Sequence, residues 1–267
     1  MKSLRFRSIW ISDVHLGVKN CKANFLLNFL ESTACENLYL VGDIVDFWHM
    51  PRGKRWPDAH NQVLQALLEK ANQGARVVYI PGNHDELARD YTGLFFGGVE
   101  ILPQHIHETA DGRRLLIVHG DSFDSAVKCG RLLEWIGDWG YGFLLFVNHL
   151  INFMRRRFNY PYWSLANFLK QRIGTVANYI VRFEQAAAHE AARRGLDGII
   201  CGHIHKPALT TINGVLYCND GDWVESCTAL VEHKDGQLEI IHWADKTVVM
   251  LQERRVQAPA QALPLAG

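Results

Sequence analysis

The sequence predicts an α/β fold on three observations: short apolar runs that each stop at a polar cluster, a helical pattern between two of them, and a late pair of runs flanking an Asp-Gly turn. The runs at residues 8–12, 38–42, 76–81, 115–118 and 198–201 each read as a buried strand. Between the second and third, residues 58–74 carry Val63, Leu67 and Leu68 at helical spacing and end on a glycine, which predicts a crossover helix. Strands alternating with helices imply βαβ units. Residues 215–217 read as a further strand, while 227–232 and 238–243 flank Asp235-Gly236 and predict a hairpin. The expected result is a sandwich that mixes parallel and antiparallel strands.

Residues 122–196 carry no strand signal. Residues 175–194 read instead as a helix ending at Gly195, preceded by an aromatic-rich stretch at 132–162. This predicts a helical cap, residues 122–196, inserted into a core made of residues 1–121 and 197–250. Residues 257–267 are Ala/Pro-rich and lack periodicity, and the tail 251–267 is expected to be poorly ordered.

With 267 residues, 48% of them hydrophobic, the chain can bury a sizeable core. Its 28 Lys+Arg balance 28 Asp+Glu, so no global field draws it to nucleic acid or anionic lipid, and no nucleic-acid partner is expected. The cysteines at 21, 35, 129, 201, 218 and 227 form no C-x-x-C pair, which fits reduced thiols and a cytoplasmic setting. The apolar residues 9–11 are too few for a signal-peptide core. Residues 132–154 are the most apolar region, but Glu134, Asp138, Asn148, His149 and Asn152 interrupt them. A bilayer-spanning helix is disfavoured there, and lying on a membrane surface remains open.

The first five predicted strands share one feature: each ends in residues that bind cations. These ends are Asp13-Val14-His15, Gly42-Asp43, Gly82-Asn83-His84-Asp85, His119-Gly120-Asp121 and Gly202-His203-Ile204-His205. Open α/β sheets place their sites at strand carboxyl ends. Period-2 geometry would set Asp13 and His15 on one side of an extended segment, and His203 and His205 likewise. The adjacent glycines would let the backbone turn sharply. One such pair is weak evidence, since a lone buried histidine is more often a satisfied core residue. Five blocks together point to a metal site.

These ordered blocks resemble the calcineurin-like metallophosphoesterase superfamily from Asp13 to His205. The resemblance implies a double β-sandwich flanked by helices and a centre of two divalent ions. Asp13, His15, Asp43 and His205 would hold one ion, and Asp43, Asn83, His119 and His203 the other, with Asp43 bridging. Mn²⁺ is the ion expected by resemblance, and Fe or Zn²⁺ would also suit Asp/Asn/His donors. Two such ions clamp phosphoryl oxygens and acidify a water for in-line attack. His84 resembles the family's non-ligand histidine at the leaving oxygen, and Asp46 the carboxylate that orients it, although Asp46 also reads as a simple turn residue. The catalytic set implied is therefore His84, Asp46 and Asn83.

The aromatic insertion and the short C-terminal strands resemble the UDP-2,3-diacylglucosamine hydrolase group, peripheral inner-membrane enzymes of lipid A synthesis. A phosphorylated lipid-nucleotide substrate is thereby implied. That group carries Arg and Glu where this chain has His84 and Asp46, which match the general superfamily pair. Trp135, Trp139, Tyr141, Phe143, Phe146, Phe153, Phe158, Tyr160 and Trp163 either line an acyl pocket or fill a cap–core interface. Arg155, Arg156 and Arg157 suit anionic head groups or form a solvated face. Arg52, Lys54 and Arg55 either meet substrate phosphate or form an exposed loop. Rival functions are a phosphoprotein phosphatase, a nucleotide or lipid phosphodiesterase, a DNA nuclease and a metal-free scaffold. The zero net charge, the apolar insertion and the seven intact donors argue against the nuclease, the phosphoprotein phosphatase and the scaffold respectively.

Overall fold

The computed structural model describes residues 4–50, 56–125, 152, 155 and 174–244. Among the described residues, twelve strands and three α-helices follow in the order β1 (Leu4–Ile11), α1 (Ala23–Ser32), β2 (Thr33–Val41), α2 (Asp58–Asn72), β3 (Arg76–Ile80), β4 (Phe95–Phe96), β5 (Val99–Ile101), β6 (His105–Glu108), β7 (Arg114–Ile117), α3 (Gly174–Arg193), β8 (Gly198–Cys201), β9 (Ala208–Ile212), β10 (Val215–Asn219), β11 (Thr228–Glu232) and β12 (Leu238–His242). Two sheets form, ordered β12-β11-β1-β2-β3-β5-β4 and β6-β7-β8-β10-β9.

Parallel pairing joins β1, β2, β3 and β5 in the first sheet and β7, β8 and β10 in the second. Their edges are antiparallel, through β11–β12, β4, β6 and β9. The mixed sandwich is thus present, and the hairpin turns at Gly236 with φ of 88°.

Alternation along each strand explains the layering. On β1, Ile9 and Ile11 face α1 and α2, where they meet Leu26, Phe29, Val63 and Leu67, while Trp10 points the other way. On β2, Leu38 and Leu40 go to the helices, and Tyr39 and Val41 go inward. Leu115, Ile117 and Ile200 of the second sheet complete that inner layer. On the outer side of the second sheet, Leu116, Ile199, Cys201 and Tyr217 receive Ile180, Phe183, Ala187 and Ala191 of α3. The order is helices, sheet, sheet, helix. Phe183 is fully buried, and burying a side chain of its size stabilises by about 1.5–3 kcal/mol.

Differences from the expected elements are local. Both β1 and β2 start earlier than their apolar runs, because Arg5, Arg7 and Glu36 tolerate the solvent end of a strand. The helix expected at 175–194 is α3, and it packs on the second sheet. The stretches 132–151 and 156–162, Arg52, Lys54, Arg55 and the tail 251–267 lie outside the described residues. Among the described residues no helix is long and apolar enough to cross a membrane, and Cys21, Cys35, Cys201 and Cys218 are free thiols.

Candidate metal centre

The five blocks converge in the loops at the carboxyl ends of β1, β2, β3, β7 and β8. The backbone does not use the extended geometry expected of them. Asp13, His15, Asp43, His203 and His205 have φ of 50°, 52°, 53°, 67° and 52°, all in the left-handed region. A non-glycine residue there costs about 1–2 kcal/mol, and such outliers gather at functional sites. The first two loops are laced together, with Asp13 N–H donating to Gly42 O and the N–H groups of Val14 and His15 donating to Asp43 O, at 3.1, 3.0 and 2.9 Å. Left-handed turns, not a pleat, set the direction of each candidate pair, and in the first two loops those bonds hold the turns in place.

The glycines also act differently from expectation. Gly42 and Gly120 do turn through positive φ, but Gly82 and Gly202 do not. They supply space: a Cβ on Gly82 would collide with Asp43 Oδ1, and one on Gly202 with Ser12 Oγ and Asp13 Oδ2.

Asp43 occupies the middle of the cluster. Its Oδ2 lies 3.3 Å from His119 Nε2, 3.9 Å from His15 Nε2 and 4.0 Å from His84 Nε2. Asn83 Oδ1 is 3.3 Å from His119 Nε2, and Asp13 Oδ1 is 3.1 Å from His205 Nε2. Among the described residues three compact donor groups result, Asp13 with His15 and His205, Asp43 with His119 and His203, and His15 with Asp46 and His84, the ligand atoms of each within 4.8 Å of one another. Ion–donor bonds of about 2.0–2.2 Å separate two donors of one ion by at most about 4.4 Å. The first two groups, bounded at 4.8 Å, come close to that span, so a small inward movement of their donors would let each hold a cation.

Ring orientation agrees. His15 Nδ1 is 2.9 Å from Asp46 Oδ2, which leaves Nε2 as the lone-pair nitrogen, and that atom is buried without a hydrogen bond. His119 Nδ1 donates to Val41 O at 2.8 Å, which leaves its Nε2 facing Asp43. Asp46 also lies 3.0 Å from His84 Nδ1 and accepts the His49 N–H at 2.7 Å. Its Oδ2 is also 3.2 Å from His49 Nδ1, so three rings gather round it, with hydrogen bonds to His15 and His49.

Charge favours anionic donors. Burial raises the Asp43 carboxyl, but the charge and hydrogen bond of His119 outweigh it and bring it to about 2. Burial likewise opposes ionisation of Asp13, and His205, His119 and His15 overcome it, holding that carboxyl well below its usual range. Burial lowers the basicity of His84, yet Asp46 and Asp43 raise it above an ordinary histidine.

Sequence reasoning missed the residues that hold the loops. Asp85 accepts from Ile44 N–H at 2.7 Å, Gly82 N–H at 2.6 Å and Tyr79 O–H at 2.5 Å, tying the third loop to the second. Asn219 donates to Gly202 O at 2.6 Å, and Trp223 N–H donates to Asp13 O at 3.1 Å. The Ser12 hydroxyl lies 2.5 Å from Asp13 Oδ2 and 2.6 Å from Asp220 Oδ1. One hydroxyl proton serves one of these carboxyls, so the other needs its own. Burial pushes Asp220 well above the carboxylate range, which makes it the neutral partner. The block Asn219-Asp220-Gly221-Asp222-Trp223 is visible in the sequence, but only the fold shows what it touches. Trp48, whose ring centroid is 4.6 Å from that of His84, was also unforeseen, and it is 55% exposed beside the centre.

A sequence profile described as calcineurin-like phosphoesterase matches residues 6–207, and the chain belongs to that family. It is a metal-dependent phosphoester hydrolase. Among individual relatives, the UDP-2,3-diacylglucosamine hydrolase of Aliivibrio fischeri (strain MJ11) is 26% identical over 247 residues, covering 85% of this chain and 94% of its own. That of Xanthomonas campestris pv. campestris (strain ATCC 33913) is 29% identical over 246 residues, covering 86% and 96%. Among solved structures, a phosphoesterase from E. coli is 14% identical with a TM-score of 0.41, covering 88% of this chain and 98% of its own.

Proposed function

We propose that Asp13, His15, Asp43 and His205 hold one divalent ion and Asp43, Asn83, His119 and His203 a second, and that the enzyme cleaves UDP-2,3-diacylglucosamine to UMP and 2,3-diacylglucosamine 1-phosphate. The observation that carries the site is the position of Asp43 Oδ2, within 4.0 Å of His119, His15 and His84. The substrate rests on relatives that match over 85% or more of this chain. Mn²⁺ is the proposed metal, with Fe and Zn²⁺ acceptable to the same donors.

When bound, the ions would polarise the phosphoryl oxygens and acidify a water. The protein's own groups do the rest. Asp46 holds His15 by its Nδ1 edge and lies 3.0 Å from His84 Nδ1, and both rings have Nε2 on the side of Asp43. His84, more basic than usual, carries a proton on Nε2 and gives it to the oxygen leaving phosphorus as the anhydride bond breaks. Asn83 has its side-chain oxygen toward His119, which orients its amide group. The reaction takes place in the cytoplasm, with peripheral contact between the protein and the inner membrane.

The decisive experiment is a turnover assay with Mn²⁺ that compares UDP-2,3-diacylglucosamine, CDP-lipids and simple aryl phosphate esters. Clear preference for the first is expected. Equal or better turnover of the others would replace the lipid A assignment with a phosphodiesterase or phosphatase of another substrate.

A further inference from the structure

His203 differs from the other rings of the centre in how its second nitrogen is held. His15 is braced by Asp46, and His119 by the backbone of β2. The His203 Nε2–H meets Asp124 Oδ2 at 2.8 Å, and Tyr179 O–H donates to the other carboxylate oxygen at 2.5 Å. Asp124 lies in the 3-10 turn Asp121–Ser125 and Tyr179 in the second turn of α3, on opposite sides of residues 126–173. Phe183 of α3 stacks on the same ring at 5.9 Å, and His119 meets it edge-on at 5.1 Å.

We propose that Asp124, backed by Tyr179, is the positioning carboxylate of His203, fixing the tautomer that leaves Nδ1 free to hold the second ion. This rests on the two-ion assignment above and adds to it two residues that no block of the sequence contains. The physics is that of an outer carboxylate on a ligating imidazole. It accepts the far N–H, sets the ring's angle and raises the basicity of the near nitrogen. Asp124 is half in solvent, where a lone carboxylate would sample several rotamers, and the tyrosine hydroxyl holds it in one. Because its supports come from both flanks of residues 126–173, the affinity of the second ion is tied to how those flanks sit on the core.

Equilibrium Mn²⁺ binding, followed by EPR of the bound metal, tests this on the full chain. Asp124→Asn should weaken the second ion about 10- to 100-fold, the usual effect of removing such a partner, and leave the first unchanged. Its spectrum at intermediate Mn²⁺ should shift from the exchange-coupled pair to the six lines of a mononuclear site. Tyr179→Phe should move both readouts in the same direction by less, and it keeps the ring packing should the first variant fail to fold. Wild-type protein that binds fewer than two ions would overturn the two-ion assignment, and the proposal with it. Two ions in the wild type, with affinities unchanged in both variants or weakened equally at the two sites, would overturn the positioning role alone.

Discussion

Asp43 and His84 lie 4.0 Å apart at their nearest charged atoms, yet they should fail in different ways when truncated. Asp43→Ala removes the group shared by both proposed ions, so metal binding and turnover of every phosphoester should vanish while cooperative unfolding persists. Retained activity in Mn²⁺-supplemented buffer would reject the shared-ligand role. His84→Ala should keep both ions and slow cleavage about 10²–10⁴-fold, with a smaller loss for esters whose leaving groups need no proton. An equal loss across a leaving-group series would reassign His84 to charge stabilisation. The candidate donors stand out in the sequence because cation-binding residue types recur at the ends of apolar runs. The route to convergence was not, since five left-handed residues override the alternation that a strand-based rule assumes. Nor were the supports legible: Ser12 and Asp220 are 208 positions apart, and neither sits in a metal-binding pattern.

At the scale of elements, β6 shows why some strands escape a pattern search. Its sequence, His-Ile-His-Glu, looks polar, but His107 is buried in a network that joins the two sheets. Tyr39 O–H donates to His107 Nδ1 at 2.9 Å, and His107 Nε2–H donates to Glu232 at 2.9 Å. Arg7 and Ser8 of β1 each reach the same carboxylate at 2.7 Å, as does the Ala110 N–H. Likewise β4 is two exposed phenylalanines, and β9 is largely exposed, so neither carries an apolar run. Burial would raise the Glu232 carboxyl, but its hydrogen bonds from His107, Ser8 and Ala110 bring it down from 4.5 to about 2. A carboxyl depressed on folding contributes stability above its unfolded value that is lost as pH falls through the folded one. The stability gap between wild type and Glu232→Gln should therefore be widest near pH 7 and narrow from about pH 4.5 toward pH 2. Urea denaturation across that window checks it, and a gap independent of pH would show that the network acts through shape and not charge.

Across the whole molecule, the centre draws on both sheets: three loops follow strands of the first sheet and two follow strands of the second. Every candidate donor lies before Ser122 or after Leu196, and the proposed supports Asp124 and Tyr179 flank residues 132–160, which makes that stretch dispensable for the chemistry in principle. Its aromatic composition suggests a different use, the choice of substrate. Deleting residues 132–160 with a short Gly/Ser bridge should impair turnover of an acylated substrate far more than that of a small aryl phosphodiester. Each buried CH₂ contributes about 0.8 kcal/mol, so losing contact with even a few methylenes weakens lipid binding by orders of magnitude. Phe183, Ala187 and Ala191 of α3 hold the far flank to the second sheet, so the deletion removes no part of that packing. Mn²⁺ content and cooperative unfolding of the deletion protein must match the wild type for the comparison to count. If it is folded and metal-loaded, and loses both activities equally or neither, the stretch does not select for acyl chains and a water-soluble phosphoester becomes the better substrate.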